Sequence, residues 1–386
     1  MGIKNILVVL VDRANYGRMK PVMNSLNEDD YLELGVMCSG TMMLPRFGEV
    51  VNIVEDDGFN VVSKIYLEIE GSNPVTMSKS IGLGIIEYTS EFNRLSPDLI
   101  LLIGDRYEAL GATISASYLN IPVAHIQGGE VSGSIDESCR HAITKFSHLH
   151  FPNTDRSRDY IIRMGEDPAI VHNVGCPSGD YIHSLPDDLK PKDLEEGLGN
   201  PINLKKPFLL VIFHPVTTRG GMRGDVEQLL EALDKINMQT IWLWPNIDAG
   251  ADRISTAIRS FRERNKAEWL YLAKNFKPET YQKILKKTAC AIGNSSSFIR
   301  DSSFSGTPVV LVGDRQVGRE RDINVVESEL ESKKIYTNIN NQLDNGKYRN
   351  GTLYGHGNAS IEIKKVIKSF QPKIQKTIHY IYEDKI

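Results

Sequence analysis

The chain has 386 residues, of which 41% are hydrophobic and 24% charged, as is ordinary for a globular protein and too apolar for a disordered one. Its 49 acidic and 45 basic residues give a net charge of −4, which argues against a nucleic-acid-binding or polybasic membrane surface. Four dispersed cysteines form no CxxC pair, so a disulfide framework and a structural zinc site are disfavoured and a cytoplasmic location is expected. The first apolar run meets Asp12 too early for a signal peptide or a membrane span.

Short apolar runs alternate along the chain with longer segments of helical periodicity. In the first half, the runs predicted to be strands are NILVVLV, LELGVMC, NVVSKIYL, DLILLIG, IPVAHI, HLHFP and IVHNVG. In the second half they are FLLVIFHP, TIWLWPN, WLYLAKNF, CAIGNSS and PVVLVGD. Segments 74–95 and 107–119 have apolar residues at helical spacing. Such Val-, Ile- and Leu-rich runs are typical of parallel strands covered on both faces, so we predict a doubly wound α/β architecture.

Residues 186–207 are rich in charge, proline and glycine, and they separate the two series of elements. We predict that they link an N-terminal Rossmann-like domain, 1–185, to a C-terminal one, 208–358. The remaining residues, 359–386, are predicted to contain a helix at about 359–371 that packs back on the first domain. Two such domains would form a deep cleft between the carboxyl ends of their sheets, where ligands of these folds bind.

Polar residues follow six of the predicted strands. They are Asp105 with Arg106, the stretch HIQGGEVSGSIDESCRH (125–141), His214 with Pro215, Asn246 to Asp248, Asn294 with the serines 295–297, and Asp314 with Arg315. Because the carboxyl ends of parallel strands lie along one rim of a sheet, all six clusters are expected to converge on one cleft.

Two of these features suit phosphate. GNSSSFIRD (293–301) predicts a strand, a turn and a helix start whose N–H groups attract anions, although an ordinary serine N-cap would give the same pattern. Arg13, Arg106 and Arg315 would neutralise a diphosphate, whereas each alone would suit a surface salt bridge. The chain has no G-x-x-x-x-G-K-[ST], which disfavours P-loop hydrolysis of ATP or GTP.

Acid and base candidates are Asp105, Glu130 and Asp136. Carboxylates held together in a partly desolvated cleft separate their pKa values, so that one accepts and another donates a proton. The alternative for Asp136, or for Ser134, is capping of the helix that follows. No pair of histidines is accompanied by further residues at a spacing suited to metal ligands, and no metal is expected.

Together these segments resemble the hydrolysing UDP-N-acetylglucosamine 2-epimerases. The matching segments are DRANYG, GDRYEAL, GGEVSGSIDESCRHAITK, HPVTT, PNIDAG, GNSSSFIRD, SGTPVV and GDRQVGRE, in order over roughly residues 5 to 325. The resemblance implies the GT-B fold, a UDP-sugar substrate, no cofactor and a homodimer or homotetramer. It also implies conversion of UDP-N-acetylglucosamine and water to N-acetylmannosamine and UDP, through a glycal-like intermediate, for nonulosonic (sialic-type) acid synthesis.

The resemblance also assigns site residues. The catalytic candidates are Asp105, Gln127, Glu130, Asp136, Arg140 and His214. The candidates for binding the UDP-sugar are Arg13, Arg106, Asn246, Asn275, Ser295, Ser296, Asp301 and Arg315. Asp301 lies where the family commonly has a glutamate that binds the ribose hydroxyls.

Two departures from the family pattern bear on the substrate. Gln127 replaces a glutamate often assigned a catalytic role, and Asn275 occupies a place often held by histidine. These changes suit an altered sugar, and UDP-N,N′-diacetylbacillosamine, which feeds legionaminic acid synthesis by the same reaction, is the alternative substrate. A non-hydrolysing epimerase, a GT-B glycosyltransferase and a non-catalytic UDP-sugar-binding protein remain as rival functions.

Overall fold

The computed structural model describes residues 4–71, 73–195, 197–216 and 222–379, which form two parallel six-stranded sheets. The strands of the first sheet are β1 (Lys4–Leu10), β2 (Leu32–Ser39), β3 (Val61–Ile65), β4 (Leu99–Ile103), β5 (Val123–Ile126) and β6 (Leu149–Phe151). Those of the second are β7 (Leu209–Ile212), β8 (Thr240–Leu243), β9 (Leu270–Ala273), β10 (Cys290–Gly293), β11 (Val309–Val312) and β12 (Val325–Ser328). Their spatial orders, β3-β2-β1-β4-β5-β6 and β12-β11-β10-β7-β8-β9, are equivalent, so each domain is Rossmann-like.

Helices cover both faces of each sheet. The helices that precede residue 200 are α1 (Arg13–Asn27), α2 (Val50–Asp56), α3 (Pro74–Leu95), α4 (Tyr107–Tyr118), α5 (Asp136–Phe146), α6 (Asp155–Arg163) and α7 (Ser178–Ser184). The later ones are α8 (Met222–Ile236), α9 (Ala251–Asn265), α10 (Pro278–Lys287), α11 (Ser297–Ser303), α12 (Ser332–Asn345) and α13 (Ala359–Ser369). The helical spacing at 74–95 and 107–119 therefore predicted α3 and α4 to within one residue. Among the described residues, no helix is long and apolar enough to cross a bilayer.

The central strands are buried on both faces, as their continuous apolar runs predict. In β1, Ile6, Val8 and Leu10 pack into the core beneath α1. The alternate residues Leu7 and Val9 pack into a separate core beneath α3 and α4. Because strand side chains alternate in direction, one sequence of apolar residues serves two layers of helices.

Two strand assignments differ from the sequence prediction. The strand predicted for IVHNVG was wrong. Within this segment only Val171 forms a β-bridge, with His150, before the chain leaves the edge of the sheet. β12 was missed, because it is an edge strand in which the middle residues Val326 and Glu327 are exposed, so it has no continuous apolar run.

Part of the predicted linker, together with residues before it, packs against the second sheet. Cys176 and Ile182, within or beside α7, belong to a core of the second domain. Leu194 and Ile202 from the predicted linker pack into the same core. We therefore propose that the domain boundary lies near residue 177, since the polar stretch packs against the second domain.

The C-terminal segment packs against the first domain. Ile363 and Ile367 of α13 are buried in the core beneath α1. Beyond α13 the chain continues to residue 379, where the His379 N–H donates to the Gly165 carbonyl. Residues 380–386 of the predicted C-terminal segment lie outside the described residues.

Candidate functional site

The carboxyl ends of both sheets face one cleft of about 1340 Å³, part of it open to solvent. In the first sheet the strand order reverses between β1 and β4, and Arg13 and Asp105 follow these strands. In the second it reverses between β7 and β10, and His214 and Ser295 follow them. Crevices at such reversals are the ligand sites of open parallel sheets.

Ten of the fourteen predicted site residues line this cleft. They are Arg13, Asp105, Arg106, Asp136, His214, Asn246, Ser295, Ser296, Asp301 and Arg315. The other four, Gln127, Glu130, Arg140 and Asn275, lie behind its walls. Among the described residues, no three His, Cys, Asp or Glu side chains meet in an arrangement suited to a metal ion.

Asp105 and Asp136 occupy one wall and experience opposite electrostatic environments. Burial alone would raise the pKa of Asp105, but Arg140, which donates to its carboxylate, and Arg319 hold the pKa below its ordinary value. Burial raises the pKa of Asp136, although Arg315 Nη2 donates to its Oδ2 at 3.1 Å. The wall thus carries one carboxylate that stays ionised and one that retains a proton more readily.

His214 is positioned as a neutral donor facing the cleft. Its Nδ1 accepts from the Asn246 N–H at 3.2 Å, so the proton resides on Nε2. Asn294 fixes the backbone, accepting from the His214 N–H at 2.7 Å and donating to its carbonyl at 2.8 Å. Burial, with Arg315 nearby, lowers the pKa of His214 to about 3, so the ring donates without carrying a charge.

The opposite wall suits an anion. Ser295 and Ser296 precede α11, and Arg300 Nη2 donates to Ser296 Oγ at 2.7 Å. Arg13 reaches across the cleft to the Lys274 carbonyl at 2.8 Å and makes no ion pair among the described residues. Because α11 has only seven residues, the guanidinium groups and hydroxyls contribute more to anion binding here than the helix dipole does.

Asn246 and Asp301 present free acceptors. Asn246 Oδ1 and Asp301 Oδ1 are buried and have no hydrogen-bond partner in the described structure. Gln282 Nε2 donates to the other oxygen of Asp301 at 3.0 Å. Neither atom is accessible from the cleft in this structure, so a ligand donor would reach them only after a shift of the side chains.

Arg106 lines the cleft, but its charge is already compensated. Its Nη1 donates to Asp248 at 2.5 Å across the domain interface and its Nη2 to Glu108 at 3.0 Å. The predicted role in neutralising a diphosphate therefore suits Arg13 better than Arg106, which joins the two walls.

Glu130 is not placed for proton transfer in this structure. Its carboxylate accepts from Arg300 at 2.7 Å, from Arg319 and from Asn153 at 2.9 Å. It is 4% exposed and lies outside the cleft lining. Because Arg300 and Arg319 come from the second domain, the sequence around Glu130 gave no sign of this ion-pair cluster.

The remaining three residues support the cleft from behind. Gln127 is buried, accepts from Arg18 Nη1 at 2.8 Å and donates to Cys176 Sγ at 3.4 Å. Arg140 pairs with Asp105 and also donates to the Glu130 carbonyl at 2.6 Å. Asn275 accepts from the Phe276 N–H at 2.8 Å, which turns its side chain back on its own backbone.

Several cleft residues were missed by sequence reasoning. The most informative of them are Arg18, Arg300, Tyr281 and Gln282. Arg300 was detectable, since it stands four residues after Ser296 within GNSSSFIRD and so lies on the same helix face. Arg18 and Gln282 lie inside helices, away from strand ends, where the sequence has no comparable signal.

Comparison with known proteins agrees with this geometry. The model of the UDP-N-acetylglucosamine 2-epimerase family matches residues 24–368. The chain is 32% identical over 368 residues to the UDP-N,N′-diacetylbacillosamine 2-epimerase (hydrolyzing) of Legionella pneumophila, covering 95% of this chain and 96% of that protein. It is 31% identical over 333 residues to the GDP/UDP-N,N′-diacetylbacillosamine 2-epimerase (hydrolyzing) of Campylobacter jejuni, covering 86% and 85%.

The fold comparison gives the same result. The crystal structure of Methanocaldococcus jannaschii UDP-GlcNAc 2-epimerase in complex with UDP-GlcNAc and UDP superposes with a TM-score of 0.73 at 16% identity, covering 94% of this chain and 99% of that one. The two Rossmann-like domains that face each other across the cleft thus form a GT-B fold, as predicted. With the family model matching most of its length, this chain belongs to the UDP-N-acetylglucosamine 2-epimerase family.

Proposed function

We propose that the protein is a hydrolysing 2-epimerase of a UDP-linked N-acetylated hexosamine, which releases UDP and a free sugar inverted at C2. The observation that carries this proposal is the composition of the cleft. One wall holds Asp105 and Asp136 with opposite pKa directions, and the other holds His214, Ser295 and Ser296. The first set suits proton transfer at carbon and the second suits a departing diphosphate.

The proposed reaction has two stages. In the first, the C2 proton and UDP leave, and the electron pair of the C2–H bond forms the C1–C2 double bond of a glycal. Asp105 stays ionised beside Arg140 and is the proposed base, while His214 Nε2–H and Arg13 stabilise charge on the leaving diphosphate. In the second, Asp136 delivers a proton to the opposite face of C2 and the oxygen of a water molecule bonds to C1. The proton that this water loses restores Asp136, and the proton taken by Asp105 passes to solvent.

Two sugars are candidates. UDP-N,N′-diacetylbacillosamine comes first, because the Legionella pneumophila and Campylobacter jejuni relatives are named for it. UDP-N-acetylglucosamine comes second, because the family model and the ligand of the Methanocaldococcus jannaschii structure carry that name. Use of the product in nonulosonic acid synthesis, a homodimer or homotetramer, and a cytoplasmic location stay predictions.

The test is incubation with each UDP-sugar in D₂O, followed by NMR of the products. We expect UDP and a free 2-epimeric sugar that carries deuterium at C2 for at least one substrate. UDP-linked epimer in solution would instead indicate a non-hydrolysing epimerase. Binding of both UDP-sugars without release of UDP would indicate a non-catalytic binding protein.

A further inference from the structure

A second cavity, of about 970 Å³ with part of it open to solvent, lies between the two domains and is separate from the cleft. Asn153, Asp155 and Asn173 line it from the first domain, and Glu320 and Thr352 line it from the second. Glu362 of α13 completes the wall. The volume falls within the range of small-molecule sites.

The chemistry of this cavity favours a donor-rich, uncharged ligand. Its lining is dominated by carboxylate and amide oxygens, and its three carboxylates, Asp155, Glu320 and Glu362, would repel a nucleotide. Asp155 and Glu320 already accept from Asn173 at 2.8 Å and from Thr154, respectively, and Arg156 Nε lies 3.4 Å from Glu320, so both carboxylates are held in place as acceptors for ligand hydroxyls.

One residue of this wall is almost completely buried behind it. Asn153 is 1% exposed, and its Oδ1 has no hydrogen-bond partner in the described structure. This atom is too deeply buried to contact a ligand in the cavity, so Asn153 supports the wall from behind.

A continuous series of hydrogen bonds joins this wall to the cleft. Asn153 Nδ2 donates to Glu130 Oε1 at 2.9 Å, and Arg300 Nη1 donates to Glu130 Oε2 at 2.7 Å. Arg300 Nη2 in turn donates to Ser296 Oγ at 2.7 Å, which lines the cleft. Ser296 and Asn153 belong to different domains, so the series also spans the interface that closes the cleft.

We propose that this cavity is a regulatory site for an uncharged, polyhydroxylated sugar, whose binding stabilises the closed arrangement of the two domains. The free N-acetylated hexosamine released by hydrolysis is such a sugar, and only this identification rests on the proposed function. Because the cavity walls come from both domains, a sugar that contacts both binds this arrangement better than an open one. The same arrangement holds UDP, so the two ligands tighten each other's binding by the same factor.

The test is calorimetric titration of the full chain with UDP, with and without saturating N-acetylmannosamine. We expect the sugar to lower the Kd for UDP at least fivefold. Thr352→Trp fills the exposed mouth of the cavity and should leave the Kd for UDP alone unchanged while abolishing the effect of the sugar. Thr337→Trp, on the exposed face of α12, is the matched control and should retain the effect.

Several outcomes would overturn the assignment. One is that the sugar leaves the Kd for UDP unchanged or raises it. Another is that the effect of the sugar persists in Thr352→Trp, which would indicate that the sugar binds in the cleft. Glu362→Gln, a milder change in the same wall, should weaken the effect if the tryptophan variant fails to fold. Spermidine acting where the sugar does not would overturn the choice of ligand class. Since UDP binding requires no turnover, failure of the proposed function would appear in the D₂O experiment and not in this one.

Discussion

Asp105 and Asp136 are both aspartates that line one cleft. The arginines beside them explain why their pKa values shift in opposite directions. Arg140 lies directly against Asp105, whereas Arg315 divides its contacts between Asp136 at 3.1 Å and Asp248 at 3.9 Å. Because Arg140 is closer to Asp105 than Arg315 is to Asp136, and is less divided between carboxylates, the pKa of Asp105 falls. The pKa of Asp136 is raised by burial.

Replacing the ionised member of this pair should affect chemistry more than binding. We expect Asp105→Asn to lower kcat by about 10²–10⁴-fold, because an amide accepts no proton from C2, and to leave UDP binding within a few fold of the original. Steady-state turnover and UDP titration check this. Asp159→Asn, at an exposed position, is the control, and wild-type turnover in Asp105→Asn would remove Asp105 from the mechanism.

Sequence reasoning found the carboxylates at the strand ends but not the roles that their partners impose. Asp105 and Glu130 both follow apolar runs, and nothing local distinguishes them. The difference comes from Arg300 and Arg319, which lie 170 and 189 positions after Glu130 and reach it only in the folded chain. A single sequence has no signal for pairing at such separations.

At the scale of elements, the segment after α13 fastens the end of the chain to the first domain. Glu166 is buried and accepts from Lys145 at 2.5 Å, from Lys376 at 2.7 Å and from His150 at 3.2 Å. Burial opposes ionisation, but these three partners lower the pKa of Glu166 to about 2. The carboxylate therefore connects α5, β6 and the C-terminal segment.

Glu166→Gln should destabilise the protein by about 2 kcal/mol at pH 7, a value reduced for the solvent exposure of both lysines. Because the pKa is depressed in the folded state, this contribution is complete above the unfolded value of 4.5 and decreases as the pH falls toward about 2. Urea unfolding of both proteins at pH 7 and below pH 4.5 should show the difference narrowing. Glu329→Gln, which is 77% exposed, should change stability by less than about 0.5 kcal/mol, and equal effects of the two substitutions would contradict the prediction.

Elements were predictable where apolar residues recur with one period, as in β1 and α3. The edge strand β12 and the single bridge at Val171 were not, since their backbone geometry depends on neighbouring strands more than on local pattern. The C-terminal helix was predictable from its periodicity, whereas its packing on the first domain had little support in the sequence.

For the whole molecule, charged contacts across the interface hold the two domains together. Glu130 contacts Arg300 and Arg319 within the interface, and Arg106 contacts Asp248 at 2.5 Å. Buried clusters of this kind are sensitive to the loss of one member, because the remaining charges are left without compensation.

Glu130→Gln should therefore lower the stability of the protein more than it directly affects the chemical step. We expect a loss of about 3–5 kcal/mol in the free energy of unfolding and a corresponding drop in Tm, because two buried guanidinium groups lose their carboxylate. Asp252→Asn, which removes the exposed interdomain pair with Arg46, should cost less than about 1 kcal/mol. An unchanged Tm together with lost turnover would contradict this prediction and support a catalytic role for Glu130.

Two domains and a cleft were predictable from the repeated alternation of strands and helices. The boundary stays a proposal, because the polar composition of 186–207 resembles a linker while Leu194 and Ile202 pack into the second core. Composition describes how polar a stretch is, and it does not show which neighbour covers its few apolar side chains.

The return of α13 to the first domain has a consequence for synthesis on the ribosome. Ile363 and Ile367 complete a core whose other members, such as Ile6 and Leu10, are translated more than 350 residues earlier. The amino-terminal half must wait for synthesis of α13 before its last hydrophobic face is covered, so premature termination just before α13 would leave an incompletely folded product exposed to chaperones and proteases.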